Sequence, residues 1–223
     1  HLIATGVVTA PVAFTPDSND LGIVCQHKGV VWSELICSGK GGHGAYPWDT
    51  DNPAWLLVEA LAKIKEAFPP GEHDDWQITV SPTMLQGSSA RNQVDAKVTC
   101  GLDIRFPPET CSSPKEALEK VSAILPEGCE IREVLSASPL STPENHPMVE
   151  MFKEVAEEVL DTSIGFKREH GGTDARYFSE KGIPAFLYGP KGAGLHSKDE
   201  WVSVSSLQKH YKMYWGLFNK ILA

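Results

Sequence analysis

Two short segments in the second half of the chain carry most of the chemistry that this sequence could perform. Residues 171–176 read Gly-Gly-Thr-Asp-Ala-Arg, and residues 194–200 read Gly-Leu-His-Ser-Lys-Asp-Glu. The glycine pair can expose backbone amides, and the guanidinium of Arg176 attracts carboxylates, so the first segment favours binding of an anion. His196 stands in a loop beside acids, where an imidazole can bind a metal ion. Together the segments predict a site for an anionic substrate near a metal.

Three residues in the first half of the chain are further candidates. His43 lies in a loop rich in glycine, which lets a backbone approach its neighbours closely. Asn92 precedes an expected strand, and Arg105 ends that strand in an Asp-x-Arg sequence. Arginine suits carboxylate recognition because its planar fork donates two parallel hydrogen bonds. Purely structural roles stay open for two of these residues: His43 can belong to an ordinary turn, and Arg105 can pair with a surface acid.

Composition narrows the class of protein. The chain has 223 residues and a net charge of −9, which argues against nucleic acid or an anionic membrane as a partner. Five cysteines without a Cys-x-x-Cys pair are typical of reduced thiols, so we expect a cytoplasmic protein without disulfides. No apolar run approaches the roughly 20 residues of a membrane span, and no signal peptide opens the sequence.

The pattern of apolar and turn residues predicts an α+β region followed by an α/β segment. Residues 1–20 are expected to be irregular, with strands over 21–25, 29–37, 77–85, 94–106 and 129–135. Helices are expected over 53–68, where Asp51-Asn52-Pro53 supplies a capping side chain and a proline, and from 114 to about 126, where Ser113-Pro114-Lys115-Glu116 forms a capping box. This order predicts a sheet with two helices on one face. Beyond a proline-containing stretch, a strand is expected over 183–188, with helices from about 147, near 171–176 and from 203.

The order of these motifs resembles the dinuclear zinc amidohydrolases that include acetylornithine deacetylase, succinyl-diaminopimelate desuccinylase and glutamate carboxypeptidase. The pattern around His196, with Asp-Glu and a hydrophobic pair after it, is one part of the resemblance. A second part is Asp17 in a short loop, followed by a strand and then His27-Lys28-Gly29. The family often has Glu-Pro-Thr at the Asp17 position, and Asp20 competes for this assignment.

The resemblance implies roles for these residues. His196 and Asp17 would each bind one zinc of a pair, with cobalt or manganese as substitutes. His43 would reach the active site of the other subunit and donate a hydrogen bond to the scissile carbonyl oxygen. The substrate's carboxylate or amide would be held by a further set of residues: Asn92, Arg105, Gly172, Thr173 and Arg176.

The resemblance also implies an architecture. A lid or dimerisation domain over 21–138, a four-stranded antiparallel sheet with two helices, would be inserted in an α/β zinc-exopeptidase-like catalytic domain. Residues 1–20 and 139–223 would be parts of that catalytic domain, of which only the C-terminal part is expected here. A homodimer through the lid is expected by analogy, through an exposed edge of its sheet and the neighbouring helix.

The family's other ligands are not found upstream of Asp17, where neither a His-x-Asp motif nor a suitable Glu-Glu pair occurs. The pair Glu157-Glu158 lies in a helix after the lid and is expected on an ordinary solvated face. The expected function is therefore metal-dependent hydrolysis of an amide bond in a small, carboxylate-bearing substrate by the intact protein, with this chain alone inactive. Either an N-acyl amino acid deacylase or a dipeptidase fits this description. The alternatives are a non-catalytic dimerisation or binding module with the same fold, and a structural fragment without a function of its own.

Overall fold

The chain divides into two compact units. A computed structural model describes residues 2–3, 5–17, 20–72 and 74–222. The first unit comprises residues 1–27 and 140–223, and the second is continuous over residues 28–139.

The described residues form short strands and five α-helices. The strands are β1 (Ala13–Thr15), β2 (Ile23–His27), β3 (Gly29–Ser38), β4 (Gly42–His43), β5 (Thr79–Gln86), β6 (Gln93–Val94), β7 (Lys97–Phe106), β8 (Cys129–Ala137), β9 (Leu140–Ser141), β10 (Phe166–Glu169), β11 (Ala185–Leu187), β12 (Gly192–Ala193) and β13 (Trp201–Val202). The helices are α1 (Pro53–Ala67), α2 (Pro114–Ser122), α3 (Pro147–Leu160), α4 (Arg176–Ser179) and α5 (Val204–Leu222).

The second unit is built on a four-stranded antiparallel sheet in the order β5-β7-β3-β8. Every second residue of β7 is buried, as expected for a strand with one face in a core. Helices α1 and α2 pack on that face, where Ile64 and Val121 join the apolar side chains of β3 and β7. The predicted sheet with two helices on one face is therefore observed.

The helix starts follow the predicted capping chemistry, with one difference. The Asn52 side chain accepts a hydrogen bond from the Ala54 amide (3.0 Å), ahead of Pro53 at the first position of α1. At α2, Ser113 accepts from the Glu116 amide (3.3 Å), but the Glu116 carboxylate bonds the Ser112 amide (2.8 Å) instead of the Ser113 amide. The capping box is thus shifted by one residue on its carboxylate side.

The first unit contains a mixed sheet in the order β1-β11-β2-β10, with β9 also paired to β2. Strand β1 runs parallel to β11 across a sequence separation that hid it, so the prediction of an irregular start was wrong for Ala13–Thr15. Strand β2, which the sequence analysis placed at the start of the lid, pairs within this sheet. Helices α3 and α5 pack beside it around a core that includes Phe152, Tyr188 and Leu217.

In each unit, the strands at the two points where the chain passes to the other unit pair with each other. In the first unit, His27 pairs with Leu140, at the ends of β2 and β9. In the second unit, Val30 pairs with Ala137, near the ends of β3 and β8. The entry and exit of the inserted unit therefore lie on neighbouring strands.

The end of α3 contradicts one sequence interpretation. Glu157 was expected on an ordinary solvated face, yet its carboxylate accepts hydrogen bonds from the Ile164 amide (2.9 Å) and the Ser163 hydroxyl (3.1 Å) and pairs with Lys153. It thereby ties the helix to the segment that follows Asp161, whose φ of +52° ends the helix.

The five cysteines are free, and four of them are buried. Burial raises the pKa of Cys25 to about 12, so this thiol stays protonated at neutral pH. Among the described residues, no helix combines the length and apolar character needed to cross a membrane.

Candidate functional site

Five of the predicted site residues line one cavity in the first unit. The cavity has a volume of about 700 Å³ and is lined by residues that include Asp17, Gly172, Thr173, Arg176 and His196. Asp17 lies in the loop after β1, and His196 lies in the loop between β12 and β13. Gly172 and Thr173 lie in the loop after β10, which leads into Arg176 at the start of α4. Asp17 and His196, which are 179 positions apart in the sequence, thus line the same cavity.

Asp17, and not the competing Asp20, lies at this cavity. The Thr173 hydroxyl donates to the Asp17 carboxylate at 3.5 Å. Asp20 instead pairs with Lys167 at 2.8 Å, and the hydrogen bond and charge of that ammonium group lower the pKa of Asp20. Asp20 is absent from the described lining of the cavity, so the geometry favours Asp17 as the carboxylate available there. Ser18 and Asn19 between them lie outside the described residues.

Thr173 and Arg176 are held firmly by neighbouring groups. Thr173 is 3% exposed, and its hydroxyl also accepts from the Ala175 amide at 3.2 Å. One Nη of Arg176 donates to the Thr173 carbonyl (2.8 Å) and the other to the Tyr177 hydroxyl (2.8 Å). The guanidinium also lies 4.3 Å from the Tyr177 ring centroid, a cation–π contact. Sequence reasoning missed Tyr177, since a tyrosine beside an arginine has no distinctive spacing.

His196 lies in a tight hairpin loop. Gly192 and Ala193 pair with Val202 and Trp201, and the residues between them form the loop. His196 has φ of +62°, a left-handed conformation that few residues other than glycine adopt. Its backbone amide donates to the Glu200 carboxylate at 3.2 Å. Glu200 was quoted in the motif but given no role of its own by the sequence analysis.

His43 and Asn92 are brought together in the second unit. Strands β4 and β6 pair, and the Gly44 amide donates to the Asn92 carbonyl at 2.8 Å. A Cβ at Gly41 would lie 2.7 Å from the Val94 carbonyl oxygen, so glycine is required for this close approach. The His43 Nδ1 accepts from the Ala45 amide at 3.1 Å, which leaves the proton of the neutral ring on Nε2.

Arg105 is paired with an acid of its own strand. Its Nε and one Nη donate to the two carboxylate oxygens of Asp103 at 2.6 and 3.0 Å. The Trp32 indole donates to the same carboxylate at 3.3 Å. Asp103 therefore fixes the guanidinium plane of Arg105, and the pairing with an acid that the sequence left open is observed.

The donor chemistry at the cavity fits part of a zinc site. A carboxylate and an imidazole, from Asp17 and His196, are ligand types that zinc accepts. No group of three or more His, Cys, Asp or Glu side chains that could hold a metal occurs among the described residues. A catalytic zinc takes three protein ligands, so Asp17 and His196 by themselves do not complete one.

Comparison with known proteins gives the class to which this architecture is similar. Residues 25–132 match a family model described as a peptidase dimerisation domain. Succinyl-diaminopimelate desuccinylase from Xanthomonas campestris is 30% identical over 209 residues, with 87% of this chain and 52% of that protein covered. The same enzyme from Helicobacter pylori is 29% identical over 201 residues, with 87% and 51% covered. The chain thus spans about half the length of the curated relatives it matches.

Solved structures agree with this result at the level of the fold. The aminopeptidase PepT from Bacillus cereus superposes with a TM-score of 0.79 at 20% identity, covering 98% of this chain and 59% of that chain. A tripeptidase from Staphylococcus aureus has a TM-score of 0.77 at 18% identity, with 96% and 57% covered. These findings confirm the resemblance to the peptidase and deacylase family that the motifs indicated.

Proposed function

We propose that this chain is part of a metal-dependent hydrolase that cleaves an amide bond in a small substrate with a carboxylate. The observation that carries the proposal is the single cavity shared by Asp17, Thr173, Arg176 and His196. It combines potential metal ligands with a cation for an anionic substrate. The similarity to desuccinylases over most of this chain supports the same reaction type.

Within the cavity, Arg176 is the residue proposed to hold the substrate's carboxylate. The helix that it begins has four residues, too short for a substantial dipole, so the positive charge must come from the guanidinium itself. Two of its nitrogens are anchored to Thr173 and Tyr177, which limits the entropy lost when a substrate binds. The Gly172 and Thr173 backbone is proposed to contact the same anion.

Zinc is the proposed metal, two ions per intact subunit, with cobalt or manganese as substitutes. Asp17 and His196 would each contribute one ligand, and other parts of the intact protein would contribute the rest. When bound, such a metal lowers the pKa of a water molecule and polarises a carbonyl group. This chain alone is proposed to be inactive.

In the second unit, His43 is proposed to stabilise the carbonyl oxygen of a substrate bound to the partner subunit. Its Nδ1 is occupied by the Ala45 amide, so the proton on Nε2 is free to be donated to an oxygen that gains negative charge. Asn92 and Arg105 are the proposed substrate contacts of this unit. Asp103 binds Nε and one Nη of Arg105 and so fixes the plane of the guanidinium group. The other Nη is the atom proposed to donate to the substrate.

The residues 25–132, which match the dimerisation domain model, are proposed to form a homodimer through β5 and α1. β5 is an edge strand, and it exposes Met84 and Leu85 at 62% and 68%. Helix α1 exposes Trp55 at 74% and Val58 at 57%. Apolar side chains on an edge strand and a helix beside it are the features of a surface that another protein covers.

The proposal is tested on a protein that spans the full length of the relatives, beside this chain alone. Metal content and hydrolysis of N-acyl amino acids and dipeptides are measured after zinc loading. We expect about two metals per subunit and activity in the longer protein only. Asp17→Asn and His196→Ala should each abolish most of the activity, whereas the control Asp20→Asn should not, because Asp20 is committed to Lys167.

A longer protein that binds no metal and hydrolyses nothing would support the alternative, a dimerisation or binding module with the same fold. Activity in Asp17→Asn together with its loss in Asp20→Asn would reverse the assignment of the two acids.

A further inference from the structure

We propose that Glu200 is a positioning residue that holds the backbone of His196 in its left-handed conformation and so presents the imidazole to the cavity. The inference rests on the proposed function, because it treats His196 as a working side chain of that site.

The loop that carries His196 is constrained at both ends by backbone contacts. A Cβ at Gly192 would lie 2.6 Å from the Trp201 carbonyl oxygen, and one at Gly194 would lie 2.9 Å from that of Asp199. Gly194 itself has φ of +76°. These glycines allow the strands to close tightly and reverse the chain directly before His196.

Two successive turns shape the centre of the loop. The Ser197 amide donates to the Gly194 carbonyl at 3.0 Å, and the Glu200 amide donates to the Ser197 carbonyl at 3.3 Å. His196 is the third residue of the first of these turns, with φ of +62° and a Cβ that disfavours this region. Its amide donates to the Glu200 carboxylate at 3.2 Å. A hydrogen bond to a charged acceptor is stronger than one between neutral groups, so Glu200 opposes the return of His196 to a right-handed or extended conformation.

The direction of the imidazole depends on this backbone conformation. The Cα–Cβ bond rotates with the backbone, so a change of φ at His196 would turn the ring away from the cavity wall that it now forms with Asp17 and Arg176. Glu200 also lines that cavity, yet the carboxylate oxygen that contacts His196 is occupied by the backbone amide. This hydrogen bond is the contact through which Glu200 acts on His196.

The test compares Glu200→Ala, Glu200→Gln and the control Lys198→Ala, an exposed side chain of the same loop, in the 223-residue chain. The first readout is the three-bond coupling between the amide and α protons of His196, which reports φ, with the exchange rate of its amide. In Glu200→Ala we expect the coupling to change and the amide to exchange about tenfold faster. Glu200→Gln, which keeps an oxygen acceptor, and Lys198→Ala should resemble the unsubstituted chain.

The second readout is a titration with zinc chloride followed at the imidazole resonance of His196. We expect Glu200→Ala to need about tenfold more zinc for the same shift and Glu200→Gln to recover most of the difference. An unchanged coupling and exchange rate in Glu200→Ala would overturn the inference. If the coupling changes but zinc shifts His196 in none of the proteins, the positioning of the backbone stands and the metal assignment of the proposed function fails.

Discussion

The Thr173 hydroxyl donates a hydrogen bond to the Asp17 carboxylate across 156 positions of sequence. This contact joins the loop after β1 to the loop after β10, and both loops line the candidate cavity. The same hydroxyl accepts a hydrogen bond from the Ala175 amide, so one buried side chain makes hydrogen bonds to both loops.

Replacing Thr173 with valine should destabilise the first unit. Valine has nearly the same shape but leaves the buried Ala175 amide without its acceptor, at a cost of about 1–3 kcal/mol. Urea unfolding measures the difference. Thr173→Ser is the matched control, because it keeps the hydroxyl, and equal losses in the two variants would contradict the explanation.

Glu157 should make the stability of the chain sensitive to acid. The hydrogen bond from Lys153, followed by those from Ile164 and Ser163, lowers the pKa of Glu157 from 4.5 to about 2. A carboxyl with a depressed pKa stabilises the folded state above pH 4.5, and this contribution is lost as the pH falls towards about 2. Urea midpoints measured from about pH 5 to about pH 3 should therefore fall less in Glu157→Gln than in the unsubstituted chain.

The neighbouring residue provides the control for this acid effect. Glu158 is exposed on the same helix, and its substitution by glutamine should leave the pH dependence as it was. A similar flattening of the curve in both variants would mean that the general charge of α3, and not the contacts of Glu157, sets the sensitivity.

His210 should add a second loss of stability at milder pH. It is 9% exposed, and burial lowers its pKa below 6.5, while a hydrogen bond to the Tyr188 carbonyl (3.0 Å) acts in the opposite direction. The unfolded chain takes up a proton as the pH falls through 6.5, and the folded chain resists it, so stability declines there. Thermal midpoints between about pH 7.5 and pH 5.5 should vary less in His210→Gln than in the unsubstituted chain, and an equal variation in the two proteins would contradict this explanation.

The proposed dimer surface can be tested with two residues of equal exposure. Leu85 on β5 is 68% exposed and Val134 on β8 is 67% exposed, at opposite edges of one sheet. Leu85→Glu should raise the dimer dissociation constant by at least about tenfold, because it places a charge in an apolar contact. Val134→Glu should leave it unchanged in sedimentation equilibrium. The opposite result would move the interface to β8.

Local signals in the sequence were sufficient for much of the second unit. The Asn52-Pro53 cap and the strand β7 depend on neighbouring residues, and both appear where they were expected. In contrast, β1 depends on a partner strand, β11, that is 172 positions further along, and three residues carry too little pattern to reveal it. For these backbone elements, the sequence was informative where the interaction was short in range.

The candidate site shows a different limit. The residue types of Asp17, Thr173 and His196 could be predicted from motifs, because chemistry restricts which side chains can serve. Three contacts depend on side-chain geometry that no spacing encodes. They are the hydrogen bonds from the Thr173 hydroxyl to Asp17, from the Arg105 guanidinium to Asp103 and from the His196 amide to Glu200. Such contacts decide which of several similar acids is available, as Asp17 and Asp20 illustrate.

Residues 28–139 enter and leave on neighbouring strands, with Val30 paired to Ala137, while His27 and Leu140 pair in the other unit. Each unit can therefore be closed by a short link without opening either sheet, as in domains that tolerate insertion. Residues 28–139 contain every strand of their own sheet, so a gene that encodes this segment alone would still specify the whole sheet.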